Sequence, residues 1–272
     1  YKDMPTFPEW EAVTLDYNYD YVDYISLHQY YGNLNDDSSD YLAQSDDMEE
    51  FIHTVVSVCD YVKAKKRSKK KLYLSFDEWN VWFHSKKEEE DITSRHPWQI
   101  APPLLEDHYT FEDALMVGLM MITLLRHADR IKIACLAQLV NVIAPIMTDP
   151  QGGVFRQTIF YPFLHASKYA RGTVLEMPIE SPFHETKGHG SVSDVVATAV
   201  WNQEKEELTI FAVNRNLDED AVLKADLRGF SGYQAIEKLE MTNADLNAET
   251  SFAEEKVFPR QSNEIKICDG QL

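Results

Sequence analysis

A change of repeat near residue 172 constrains this chain more than any other feature. Up to about residue 171, strand-like runs alternate with amphipathic helices. YVDYISLHQYY (21–31) is rich in β-branched and aromatic residues and stops at Gly32-Asn33, a turn signal. From Ser45 to about Arg67, Met48, Phe51, Ile52, Val55, Val56, Cys59 and Val62 recur at spacings of three and four, which predicts a helix with one apolar face. Acids at 46–50 suit its N-terminus, and the basic run KAKKRSKKK (63–71) suits a solvated C-terminus. LYLSF (72–76) reads as the next strand, and a polar, Pro-containing loop is expected from Ser85 to about His108, with KKEEED (86–91) solvated within it. A second helix over Phe111 to His127 turns Ala114, Leu115, Val117, Gly118, Met121, Ile122 and Leu125 inward. IKIACLAQLVNVIAPIM opens as a third strand. A last helix over Gln157 to Ala170 must hold Pro162 in its first turns or be distorted by it.

Three strand–helix units imply a parallel α/β sheet, either part of a (β/α)8 barrel or an open doubly wound sheet. No GxGxxG or P-loop follows a strand, which weakens the nucleotide-binding version. Beyond Gly172, VVATAVWN, ELTIFAVNR, AVLKADLRG and AIEKLEMT are short alternating runs between polar turns, as in an antiparallel β-sandwich. The expected division is therefore 1–171 for the barrel portion and 172–272 for the sandwich. The chain begins without Met and ends in ICDGQL directly after a strand-like run, so it reads as a piece of something longer, with the sandwich incomplete at its C-terminus.

Composition narrows the partners. With 272 residues, 44% of them hydrophobic, a sizeable core is available and wholesale disorder is excluded. A net charge of −19 argues against nucleic acid or an anionic membrane surface, and no run approaches the ~18–20 apolar residues of a membrane span. Cys59, Cys135 and Cys268 are too few and too dispersed for a disulfide framework or a zinc cluster; with two of them in apolar runs, reduced, buried thiols in a cytoplasmic protein are expected. His28, His84, His96 and His108 show no metal-ligand spacing, and no cofactor or metal is expected.

In a barrel, functional residues gather at the C-terminal ends of strands. Those ends carry His28, Gln29 and Tyr30, then Asp77 and Glu78, then Gln138 and Asn141. Strict alternation would turn Asp77 and Glu78 to opposite faces, so that only one reaches the mouth. Trp79 and Trp82 offer flat apolar walls of the kind sugar rings stack on. A pocket of Glu, His, Tyr, Gln, Asn and Trp without a cationic phosphate clamp suits a neutral polyhydroxylated ligand, and glycoside hydrolysis would need a second carboxylate.

YISLHQYYGN, LSFDEWNVW and AQLVNVIAPI, in that order, resemble the family 51 glycoside hydrolases, chiefly intracellular α-L-arabinofuranosidases, over essentially the whole chain. The resemblance implies a (β/α)8 barrel with a jelly-roll sandwich beside it and a retaining, exo-acting mechanism on arabinan- or arabinoxylan-type glycans. It implies Glu78 as nucleophile, Tyr30 hydrogen-bonded to it, His28 beside it, Trp82 against the furanose ring and Gln138 on its hydroxyls; Asp77 is taken as structural. The family's acid/base glutamate follows an Asn on an upstream strand. The only Asn-Glu here, Asn263-Glu264, falls in the sandwich, so the acid/base residue is expected outside this chain and the fragment alone is expected to be inactive. Expected partners are an arabinose-containing oligosaccharide, and either further copies (the family habit is a hexamer) or the missing N-terminal segment covering the open barrel edges. Three alternatives remain: action on β-xylosides or β-1,4-glucan, a noncatalytic carbohydrate-binding or oligomerisation role, and a metal held by Asp77 and Glu78.

Overall fold

A computed structural model describes residues 2–95, 98–100, 102–262, 265 and 267. His96, Cys268 and the Asn263–Glu264 pair lie outside the described residues. The chain runs α1 (Glu9–Asn18), β1 (Tyr24–Tyr31), α2 (Ser38–Lys65), β2 (Tyr73–Val81), α3 (Lys86–Arg95), α4 (Phe111–Arg126), β3 (Ile131–Leu136), β4 (Ile146–Thr148), β5 (Val154–Arg156) and α5 (Phe160–Tyr169). It continues through β6 (Thr173–Leu175), β7 (Phe183–Thr186), β8 (Gly190–Ser193), β9 (Val195–Asn202), β10 (Glu207–Asn214), β11 (Leu239–Glu240) and β12 (Arg260–Gln261).

β1, β2 and β3 form a parallel sheet in sequence order, and α2 and α4, the helices between them, pack on one another. Unreversed strand order with neighbouring helices fits the winding of a barrel. The described strands form an open three-stranded segment of a barrel wall, which does not close by itself. Its core joins Leu27, Leu74, Phe76 and Trp79 of the sheet to Phe51, Ile52 and Val55 of α2 and Val117 and Met120 of α4, all at most 2% exposed.

Several boundaries differ from the sequence reading for identifiable reasons. α2 begins at Ser38, not Ser45, because Asp37 caps it by accepting a hydrogen bond from the Asp40 backbone N–H. The segment expected to be loop contains α3, whose KKEEEDITSR is rich in Lys and Glu, good helix formers without an apolar face. α4 starts at a capping box in which Thr110 and Asp113 bond each other's backbone N–H. It is buried around most of its circumference, Met116, Leu119, Met120 and Leu124 included, because the sheet lies on one side and β9 and β10 on the other. α5 takes Pro162 in its first turn, where no intrahelical N–H bond is lost.

In the second region, β10, β9 and β6 make an antiparallel sheet, and β7–β8 and β11–β12 are two-stranded ladders. VVATAVWN and ELTIFAVN are strands as expected. AVLKADLRG forms none, leaving Val222 83% exposed, and AIEKLEMT contributes only Leu239–Glu240. Gly172 allows the chain to enter β6 against β9: its φ is +151°, and a Cβ there would collide with the Trp201 carbonyl oxygen. Cys59 is buried, and desolvation pushes its thiol up to about 11; Cys135, expected to be buried, is exposed on β3, an edge of the described sheet.

Candidate active site

The sequence reading ended the second strand at Phe76, yet β2 runs on through Asp77 and Glu78 to Val81. Both neighbours register an irregularity there. Between Ser75 and Glu78 β2 advances three residues while β1 advances from Ser26 to His28, and between Phe76 and Trp79 it advances three while β3 goes from Ala134 to Leu136. One extra residue is thus accommodated at Asp77, a bulge on the central strand. Phe76 and Trp79, on either side of the acids, are both fully buried.

This bulge corrects the expectation that Asp77 and Glu78 face opposite ways. His28 Nε2 lies 3.3 Å from Asp77 Oδ1 and its Nδ1 lies 3.4 Å from Glu78 Oε2, so both carboxylates reach the same imidazole. Asp77 also accepts a hydrogen bond from the Ser26 hydroxyl at 2.7 Å, and that hydroxyl is 3.2 Å from His28 Nε2. Asp77 and Ser26 are therefore members of the cluster that sequence reasoning set aside. The signal was hidden because alternation along a strand assumes an unbroken ladder.

β1 keeps regular alternation: Leu27, Gln29 and Tyr31 are buried, while His28 and Tyr30 share the other, half-exposed face. Tyr30 Oη donates to Glu78 Oε1 at 2.7 Å, a short bond to a carboxylate. The Tyr30 ring meets the Trp82 indole edge to face, with centroids 5.5 Å apart. His28, Tyr30, Glu78 and Trp82 thus form one contiguous cluster, with Glu78 held through both oxygens.

Trp79 takes no part in that face. It is fully buried and packs against Phe163 with ring centroids 6.4 Å apart, so it cannot offer a wall to a sugar. Gln138 is exposed on the turn after β3, and its backbone N–H donates to Ile143 O at 3.2 Å. Among the described residues no hydrogen bond joins its side chain to the cluster. The turn is anchored by buried Asn80, whose amide donates to Ala137 O and Ile143 O at 2.6 Å each. Asn80, next after Trp79 in the D-E-W-N run, thus ties the Gln138 turn to β2. Asn141, at a left-handed φ of 62°, donates to Thr148 Oγ1 at 2.9 Å and belongs to the same turn system.

A network behind the cluster fixes the chain after Trp82. Asp107 accepts from the backbone N–H groups of Phe83, His84 and Ser85 at 3.1, 3.3 and 2.8 Å. His84 Nε2 lies 2.8 Å from fully buried Asp113, which also accepts from the buried Tyr41 hydroxyl at 2.9 Å. Burial opposes charge on His84, but the hydrogen bond and charge of Asp113, with Asp107 and Glu249, raise its pKa overall. Burial foremost, then the Asp113 charge, pushes the Tyr41 phenol well above its ordinary range. A cleft of about 550 Å³ bordered by Glu106, His108, Asp149 and Phe252 contains none of the predicted site residues.

A carboxylate at a strand bulge, contacted by a tyrosine and a histidine, can act as a nucleophile or as an electrostatic stabiliser. Comparison with known proteins supplies the family. The description "Alpha-L-arabinofuranosidase C-terminal domain" matches residues 77–272. The intracellular exo-α-(1→5)-L-arabinofuranosidase of Acetivibrio thermocellus is 61% identical over all of this chain and 54% of that protein. The protein of the same name from Halalkalibacterium halodurans is 56% identical over 99% of this chain and 53% of its own length. The solved structure of a family 51 α-L-arabinofuranosidase from Bifidobacterium longum superposes with a TM-score of 0.90 at 37% identity, covering 99% of this chain and 54% of that one. The chain spans about half the length of the curated relatives it matches. By family profile, sequence and fold together, it belongs to the glycoside hydrolase family 51 α-L-arabinofuranosidases, of which it carries the C-terminal part.

Proposed function

We propose that the whole protein is a retaining, exo-acting α-L-arabinofuranosidase in which Glu78 is the nucleophile. The observation that carries this reading is the hold on Glu78: a 2.7 Å bond from Tyr30 on one oxygen and His28 3.4 Å from the other, at the bulge of β2. These two contacts fix the direction from which the carboxylate approaches an anomeric carbon. Trp82, edge to face with Tyr30, bounds the furanose, and Gln138, carried by the Asn80-anchored turn, bonds its hydroxyls. The activity for which both relatives are named, intracellular exo-α-(1→5)-L-arabinofuranosidase, supports an α-(1→5)-linked, arabinose-containing oligosaccharide as substrate and an intracellular setting.

Retention needs a second carboxyl group about 5–5.5 Å from the nucleophile, to protonate the leaving oxygen and later to activate water. Asp77 is not assigned that role, because its carboxylate is engaged by Ser26 and His28. The acid/base residue is assigned to the rest of the protein, together with the strands that complete the barrel. In the same reading residues 1–171 belong to the catalytic barrel and 172–272 to the sandwich, and the full-length protein assembles as a homo-oligomer. Glu78→Gln in the full-length enzyme should lower turnover of an aryl α-L-arabinofuranoside at least ~10³-fold with an unchanged melting temperature. Unchanged turnover would refute the assignment.

A further inference from the structure

A second cluster of ligand-bearing side chains lies away from the barrel mouth, between α2 and α4. Glu49 and His53 are one turn apart on α2, and His127 caps the C-terminus of α4. His127 Nε2 lies 2.7 Å from Glu49 Oε1, and His53 Nε2 lies 3.6 Å from the same oxygen. The two imidazoles meet edge to face with centroids 4.8 Å apart. All three ligand atoms fall within 4.8 Å of one another. Arg126, the nearby cation, turns its guanidinium to the Ala197 carbonyl at 3.1 and 2.9 Å.

We infer that Glu49, His53 and His127 form a three-ligand site for a zinc-type divalent cation, with water completing the coordination. At 3.6 Å the His53 contact is too long for a hydrogen bond, so hydrogen bonding alone does not account for its convergence on Glu49. A tetrahedral ion with bonds of about 2.0–2.2 Å separates its ligands by roughly 3.3–3.6 Å, close to that spacing. The 2.7 Å pair must open by less than about 1 Å, and His53, 65% exposed, is free to close on the ion. Two imidazoles and a carboxylate suit zinc or its neighbours rather than magnesium or calcium, which prefer all-oxygen shells. The sequence shows no such motif because Glu49 and His127 are 78 residues apart.

The ion would join the two helices that back the parallel sheet, so its expected role is structural. It is independent of the hydrolase reading, which its failure would leave intact. The test uses the full-length protein stripped of metal with a chelator and titrated with zinc chloride alone against a chromophoric chelator. One zinc per chain is expected with a dissociation constant below about 10 µM, with a melting temperature raised by a few degrees at saturation. His53→Ala, at an exposed position that leaves the fold intact, should weaken binding at least tenfold and abolish the thermal shift, and Glu49→Gln should do the same. No stoichiometric binding below about 100 µM zinc, or equal binding by wild type and His53→Ala, overturns the site.

Discussion

Two three-stranded sheets in this chain differ in register. β9 and β10 pair residue for residue from Asn202↔Glu207 to Val195↔Asn214 without interruption. β2 carries an extra residue at Asp77 against both its neighbours. The regular sheet covers α4 and leads into Arg215, whose buried guanidinium grips Asp46 of α2 at 2.9 and 3.0 Å and the Ser193 carbonyl at 2.6 Å. The irregular sheet gives up ladder regularity and brings two carboxylates to one histidine. An unbroken ladder serves packing here, and the broken one gathers reactive groups.

The comparison can be broken from either side. Tyr30→Phe removes a hydrogen bond to a carboxylate, worth about 1.5–3 kcal/mol, so kcat of the full-length enzyme should fall roughly 10–100-fold with little change in melting temperature. A stability loss with normal kcat would mean that the bulged strand packs and does not react. Arg215→Met should do the converse. It leaves the Ser193 carbonyl and the half-exposed Asp46 unpaired, which lowers unfolding free energy by about 2 kcal/mol in denaturant titration while KM and kcat stay within about twofold.

The smallest effect sharpens the picture between the two sheets, at His84. Its folded pKa is raised above the unfolded imidazole's ~6.5, so its pairing with Asp113 stabilises fully below that pH and is lost as pH rises through the folded value. The melting-temperature difference between wild type and His84→Gln should therefore be largest near pH 5.5 and shrink toward pH 9. A difference independent of pH would show that the imidazole acts by packing alone.

How much of this was legible in the sequence depends on which elements obey a simple period. α2 and α4 were legible because apolar residues at three- and four-residue spacings must share a helix face. Met116 and Met120 also read as core, but Leu119 and Leu124 fell outside the inward face, since a helix wedged between two sheets keeps no polar stripe. His28 and Tyr30 were placed on one face because β1 is regular. Asp77 was misplaced because a one-residue bulge resets the period of two, and nothing in FDEWN marks it. Trp79 looked like a sugar platform for the same reason. AVLKADLRG alternates like a strand but reaches only a single bridge residue, Asp226, since alternation states a propensity and not a partner. The convergence of His53 and His127 depends on how two helices pack, which no local spacing encodes.

The central claim is that the bulge delivers Glu78 as the nucleophile of a double displacement. The most direct test incubates the full-length enzyme with a 2-deoxy-2-fluoro-arabinofuranoside bearing a good leaving group, which forms the glycosyl-enzyme faster than water resolves it, and maps the adduct by peptide mass spectrometry. The account predicts one sugar on the peptide containing Asp77-Glu78, esterified at Glu78 and absent from Glu78→Gln. An adduct on any other residue, or full turnover with no covalent intermediate, would contradict it.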